Sequence, residues 1–119
     1  MSHPIDGQVV LLAAAKASVP GSRLPALLER TQEELGPELD AYRRRYELAV
    51  ETDAICCFFV PDDHWEEFGR DLGLARREYR AIQRTHEEQL LRLGKHEDRR
   101  EEFETALEVR SAAVIGRAN

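Results

Sequence analysis

The stretch Trp65–Arg84, WEEFGRDLGLARREYRAIQR, carries the most specific pattern in the chain. Trp65, Phe68, Gly69 and Leu72 fall at helical spacing and stop at Gly73, and Leu74-Ala75 leaves room only for a tight turn. Arg76–Leu93 then reads as a longer helix, with Tyr79, Ile82, His86, Leu90 and Leu93 on one side and Gly94 closing it. Gly69 is a small residue four positions before Gly73. Gly73 supplies the left-handed backbone that the turn needs. With Tyr79 and Ile82 turned inward, Arg76, Arg77, Arg80 and Arg84 face outward. Arg76, Arg80 and Arg84 form one row at four-residue spacing, and Gln83 lies beside them.

Upstream, Asp6 caps a helix over Gly7–Ser18, so that residues 1–21 form an N-terminal helix that is a candidate arm. Pro20-Gly21-Ser22 breaks it, and Ser22 can cap the next, whose stripe is Leu24, Leu27, Leu28, Thr31 and Leu35. Gly36-Pro37 starts a third helix, in which Leu39, Tyr42, Tyr46, Ala49 and Val50 keep the period to about Glu51. Ala54–Val60 is different: an unbroken apolar run ending at Pro61. It reads as a buried strand or as a helical turn running out of the preceding helix. A strand needs a partner for its backbone groups, and Ala112–Ile115 is the candidate. Asp63 with Glu66 and Asp98 with Glu101 resemble capping boxes. The last helix carries Phe103, Ala106, Leu107, Ala113 and Val114. The expected fold is therefore mainly α: a single domain over residues 1–119, a compact bundle of five or six helices with room for one short two-stranded β pairing.

Composition narrows the function classes. The chain has 119 residues, 42% hydrophobic and 34% charged, which is a globular and soluble balance. No apolar run approaches the roughly 18 to 20 residues needed to cross a bilayer, and no basic start followed by an apolar run suggests secretion, so the expected location is cytoplasmic. The net charge of −6 argues against a protein that binds nucleic acid over its whole surface, but not against one local basic face. Fifteen of the seventeen basic residues are Arg and only Lys16 and Lys95 are Lys, a bias that a GC-rich genome would produce and that is also halophile-like.

The turn glycine, the small residue four positions before it and the apolar pair six and nine positions after it resemble the helix-turn-helix superfamily over residues 65–84. That resemblance implies a second helix lying in the DNA major groove. Arg76, Arg77, Arg80, Gln83 and Arg84 would then be the nucleic-acid-binding residues, since Arg matches guanine edges or phosphates and Gln can read adenine. The alternative for the same side chains is pairing with Glu78, Glu87 and Glu88 on a solvated face. Trp65, the small residue near the helix end and Leu72-Gly73-Leu74 are also similar to helices 2 and 3 of death-fold domains. That likeness implies a helical protein-interaction module without nucleic acid or catalysis.

Nothing in the chain spells catalysis. There is no nucleophile elbow, phosphate loop or dinucleotide fingerprint, and His86-Glu87-Glu88-Gln89 lacks the second His of a zinc helix. Asp62-Asp63-His64 reads as helix capping. The adjacent Cys56 and Cys57 lack the spacing of metal and redox sites and read as small buried hydrophobes. Arg43-Arg44-Arg45 cannot share one helix face and is at most a supplementary phosphate contact. The expectation is a small DNA-binding or regulatory protein, without enzyme activity, cofactor, metal, membrane or small-molecule ligand. Its partners would be DNA and a second copy or other protein.

Overall fold

The structure, a computed structural model, describes residues 4–17, 19–20 and 22–117. Ser18 and Gly21, expected at the end of the first helix and in the break after it, lie outside the described residues. The element order is α1 (Gly7–Ala17), α2 (Arg23–Leu35), a 3-10 turn (Gly36–Glu38), α3 (Leu39–Arg45), β1 (Glu47–Glu51), β2 (Ile55–Pro61), α4 (His64–Leu72), α5 (Arg76–His96), α6 (Arg100–Ala106) and β3 (Arg110–Gly116).

The expectation of a mainly α bundle of five or six helices with at most two paired strands is overturned: the fold is α+β, built on a three-stranded antiparallel sheet of order β1-β2-β3. Within the run Ala54–Val60, the strand is β2, Ile55–Pro61, and it pairs with the anticipated C-terminal partner, Phe58 opposite Ala113 and Cys56 opposite Ile115. Consequently Ala113 and Val114 belong to β3 and not to the last helix, which ends at Ala106. The second correction is β1. Tyr42, Tyr46, Ala49 and Val50 keep a helical period, yet the chain turns extended at Tyr46 (φ −125°, ψ 158°) and Glu47–Glu51 pairs with β2. Completing a partner for β2 outweighs the weak local preference for more helix.

The central strand decides the rest. Ile55–Val60 are all buried, so both sheet faces must be covered. Cys56, Phe58 and Val60, with Ala113 and Ile115, point to a core shared with α1, α2, α4 and the first half of α5. Ile55, Cys57 and Phe59, with Ala112 and Val114, point to a second core closed by Leu90 of α5 and Phe103 of α6. A bulge between Leu48 and Val50 lets both Ala49 and Val50 turn into this second core, and Arg99 donates to the Ala49 carbonyl there at 2.9 Å. The two thiols thus face opposite cores as free cysteines, and burial pushes Cys57 up to about 12.

α5 lies along the outer edge of β3 and feeds both cores, Ile82 into the first and Leu90 into the second. An edge strand presents backbone groups that need partners. Here helix side chains provide them. The Val114 N–H donates to His86 Nδ1 at 2.8 Å, which requires that nitrogen to be unprotonated. Gln32 Nε2 donates to the Val114 carbonyl at 2.8 Å, and the Gly116 N–H donates to Gln32 Oε1 at 2.8 Å. The Trp65 indole N–H donates to the Ala112 carbonyl at 3.0 Å. Gly94 does not close α5 as expected. It lies inside the helix, where an added Cβ would come within 2.5 Å of Phe103, so its role is close approach to α6. α1 packs on the rest of the chain: Val9, Val10, Ala13 and Ala14 are buried in the first core, and the Asp6 N–H donates to Gln89 of α5.

Gln32→Ala strips the Val114 carbonyl and the Gly116 N–H of their partner together. It should destabilise the fold by about 1–3 kcal/mol in urea denaturation; an unchanged midpoint would show that the β3 edge does not need this clamp.

Candidate nucleic-acid interface

α4 ends in a turn that fixes the direction of α5. Gly73 has φ +69°, the Leu74 N–H donates to the Gly69 carbonyl at 2.8 Å and the Gly73 N–H to the Arg70 carbonyl at 3.3 Å. A Cβ on Gly69 would sit 2.5 Å from the Tyr79 ring, so the two helices touch at this small residue. α5 opens with Glu78 reaching back to the Ala75 N–H at 3.0 Å while also accepting from Arg23 Nε at 3.0 Å. The backbone hydrogen bond first, then Arg23, holds the Glu78 carboxyl below its ordinary range. Glu78 is therefore engaged at the helix start, with Arg77 a weaker charge acting on it after Ala75 and Arg23.

Ala81, Ile82, Thr85, His86, Gln89 and Leu90 form the buried side of α5. The opposite side carries Arg76, Arg77, Arg80 and Arg84, all exposed. Together with Gln83 they line a surface depression of about 610 Å³ that Glu87 and Glu88 border at the far end. By helical rise, Arg76 and Arg84 are about 12 Å apart along the axis. Seven other arginines are ion-paired to carboxylates: Arg23, Arg43, Arg92, Arg99, Arg100, Arg110 and Arg117. Among the described residues, the four of this face make no ion pair. Of the carboxylates expected to neutralise them, Glu78 and Glu87 are engaged by other groups, and Glu88 lies at the border of the depression without an ion pair among the described residues. Glu87 accepts from Ser111 at 2.7 Å and from Gln83 Nε2 at 3.1 Å, so Gln83 is engaged within its own helix.

The remaining residues marked in the sequence serve the fold. Arg43 of the basic triplet is held by Glu51 at 3.1 Å and donates to Cys56 Sγ at 3.2 Å, and Arg45 stacks over Tyr46. Asp63 precedes α4 without capping it through its side chain, and the same holds for Ser22 at α2. His64 is buried, with Nε2 2.6 Å from the Tyr42 hydroxyl and its ring packed edge-on against Trp65. Burial lowers its pKa to about 4, against a small opposing pull from Asp63. Among the described residues no cluster of three or more His, Cys, Asp or Glu could hold a metal, and no helix is long and apolar enough to cross a membrane.

The site missing from the sequence reading is the groove between α1 and α5, because it depends on where α1 docks. Its one legible signal is the pair Leu11-Leu12, which makes the run Val9–Ala15 too apolar for a single buried face.

Over residues 3–117 the chain matches the family described as a domain of unknown function, DUF8048, and it belongs to that family. The match indicates neither a helix-turn-helix nor a death-fold family. No curated protein and no solved structure matches the chain.

Two measurements check this geometry. Gly69→Ala forces a methyl into the Tyr79 ring and should cost about 1–3 kcal/mol in thermal denaturation, as overpacking does; a neutral substitution would mean that α4 and α5 do not cross there. The second is pH dependence. His64 has a folded pKa below its ordinary value, so the unfolded chain takes up the proton first as pH falls. Stability from this group is whole above pH 6.5 and declines toward about pH 4, by at most about 3 kcal/mol. His64→Gln should flatten the wild-type stability profile between pH 6.5 and 5, and parallel profiles would contradict the assignment.

Proposed function

We propose that the chain is a small cytoplasmic DNA-binding regulatory protein that acts without catalysis and uses the first half of α5 as its contact surface. The observation that carries this reading is the group of four arginines, Arg76, Arg77, Arg80 and Arg84, that make no ion pair among the described residues and cluster around one depression, while seven of the eleven arginines elsewhere are paired. Guanidinium groups held side by side repel each other, and in a chain of net charge −6 carboxylates to quench them are plentiful. Their grouping favours an anionic ligand with repeated charges. A phosphate backbone matches the planar, bidentate donor pattern of Arg.

The turn at Gly73 supports the same reading, since it presents the start of α5 beside a crossing helix, the arrangement through which a helix end reaches base edges. Arg76 and Arg77 in the first turn take the base-proximal role, and Arg80 and Arg84 the phosphate role. Gln83, held by Glu87, contributes to bases only if that bond is exchanged. One short reading surface gives little specificity, so the working unit on DNA is a dimer. The buried free thiols, Cys56 and Cys57, are in keeping with a reducing compartment.

The test is salt-titrated retardation on mixed genomic fragments. Wild type should bind with an affinity that falls steeply with salt. Arg76→Ala/Arg80→Ala should weaken binding about tenfold or more at low salt and make the log–log slope shallower by about 2, whereas Arg30→Ala on α2 should not. Absence of a salt-dependent complex for wild type, or equal loss in the Arg30 variant, would overturn the reading.

A further inference from the structure

We infer that the groove between α1 and α5 is a docking site for an acidic amphipathic helix of a protein partner, adjoining the arginine face at Glu88. Val9, Leu12 and Ala13 of α1 make an apolar floor in a slot of about 170 Å³. Leu12 is 61% exposed and its neighbour Leu11 71% exposed, two of the large apolar side chains that the fold leaves open. The rim is cationic: Lys16 from α1, Arg92 and Lys95 from α5, and Arg100 from α6, against the single carboxylate of Glu88. Both lysines of the chain are in this rim. Arg92 and Arg100 have only long ion pairs, 3.6 Å to Asp6 and 3.5 Å to Glu104, and the lysines have none among the described residues.

Size and polarity choose the occupant. Small-molecule sites usually run to roughly 300–1,000 Å³, so this slot is too small for most of them and fits one or two inserted side chains. A phosphate backbone would match the rim but gains nothing from a floor of Leu12, Val9 and Ala13. A helix with apolar residues at i, i+3, i+4 and i+7 and carboxylates flanking them satisfies floor and rim together. The lysines, flexible and monodentate, suit carboxylates whose positions are not fixed by a planar fork.

The probe is a fluorescein-labelled, amidated peptide of about four helical turns, with leucines at i, i+3, i+4 and i+7 and glutamates flanking them, titrated by anisotropy with the intact chain. Saturable binding is expected, weakened about tenfold by Leu12→Ser, by Lys16→Glu/Lys95→Glu, and by replacing the leucines of the peptide with serine. Leu12 is exposed, so circular dichroism of its variant should match wild type. Arg76→Ala/Arg80→Ala should leave peptide binding unchanged, which separates this inference from the DNA reading. No binding, equal binding of the serine peptide, or loss in the arginine variant would overturn it. Displacement of the peptide by submicellar octanoate would give the groove to an acyl anion, and a dimer in sedimentation that Leu12→Ser dissolves, without peptide binding, would give it to a second copy. Either result also overturns it.

Discussion

The outer edge of β3 is the constraint around which this fold is arranged. A three-stranded sheet has two edges, and β3 turns its edge inward, toward helices. Inside a core every unpaired N–H or carbonyl costs free energy comparable to a lost hydrogen bond. Three side chains from three helices answer this: Gln32 from α2, Trp65 from α4 and His86 from α5. Each bond has direction. The indole can only donate, the amide of Gln32 gives and takes at once, and His86 must offer a bare Nδ1. These demands fix where each helix sits and which way it is rotated.

For α5 that rotation has a functional consequence. Once His86 faces the sheet edge, Ile82 and Leu90 fall into the two cores, and the helix has no freedom left to hide its other side. Arg76, Arg80 and Arg84 lie opposite to the buried side. Glu78 and Glu87, the nearest candidates to neutralise them, are held by Ala75 and Arg23 and by Ser111 and Gln83. The charge pattern of the surface follows from packing as much as from composition. On the α1 side the same helix carries Arg92 and Lys95 to the rim of a second, apolar-floored groove, so one long helix joins an arginine-rich surface to an amphipathic one, with Glu88 on the border of both.

Much of this is legible in the residues. The turn at Gly73, the contact of Gly69 with Tyr79, and the outward placement of Arg76 through Arg84 all follow from local spacing, because the 3.6-residue period and the left-handed glycine are local physics. The apolar run Ala54–Val60 read as a buried strand or a helical turn, with the C-terminal apolar segment as the candidate partner, and the pairing decides for the strand. What stayed hidden was non-local. Glu47–Glu51 is short, half polar and in phase with the helix before it. Only the demand of β2 for a second partner makes it a strand. Gly94 looks like a helix stop because glycine often is one, and the approach of Phe103 that explains it comes from another helix. The α1–α5 groove needed the docking of α1, and no periodicity within α1 encodes that.

Amide hydrogen exchange at Val114 and Gly116 tests the sealed edge most directly. Outward-pointing amides on an unprotected edge strand exchange through small local openings, whereas these two, if His86 and Gln32 hold them, should open only with the global unfolding of the domain, as slowly as the amides of β2. Exchange at Val114 orders of magnitude faster than at Phe58 would contradict the account, because α5 would then be free to rotate and its arginine row would have no fixed direction.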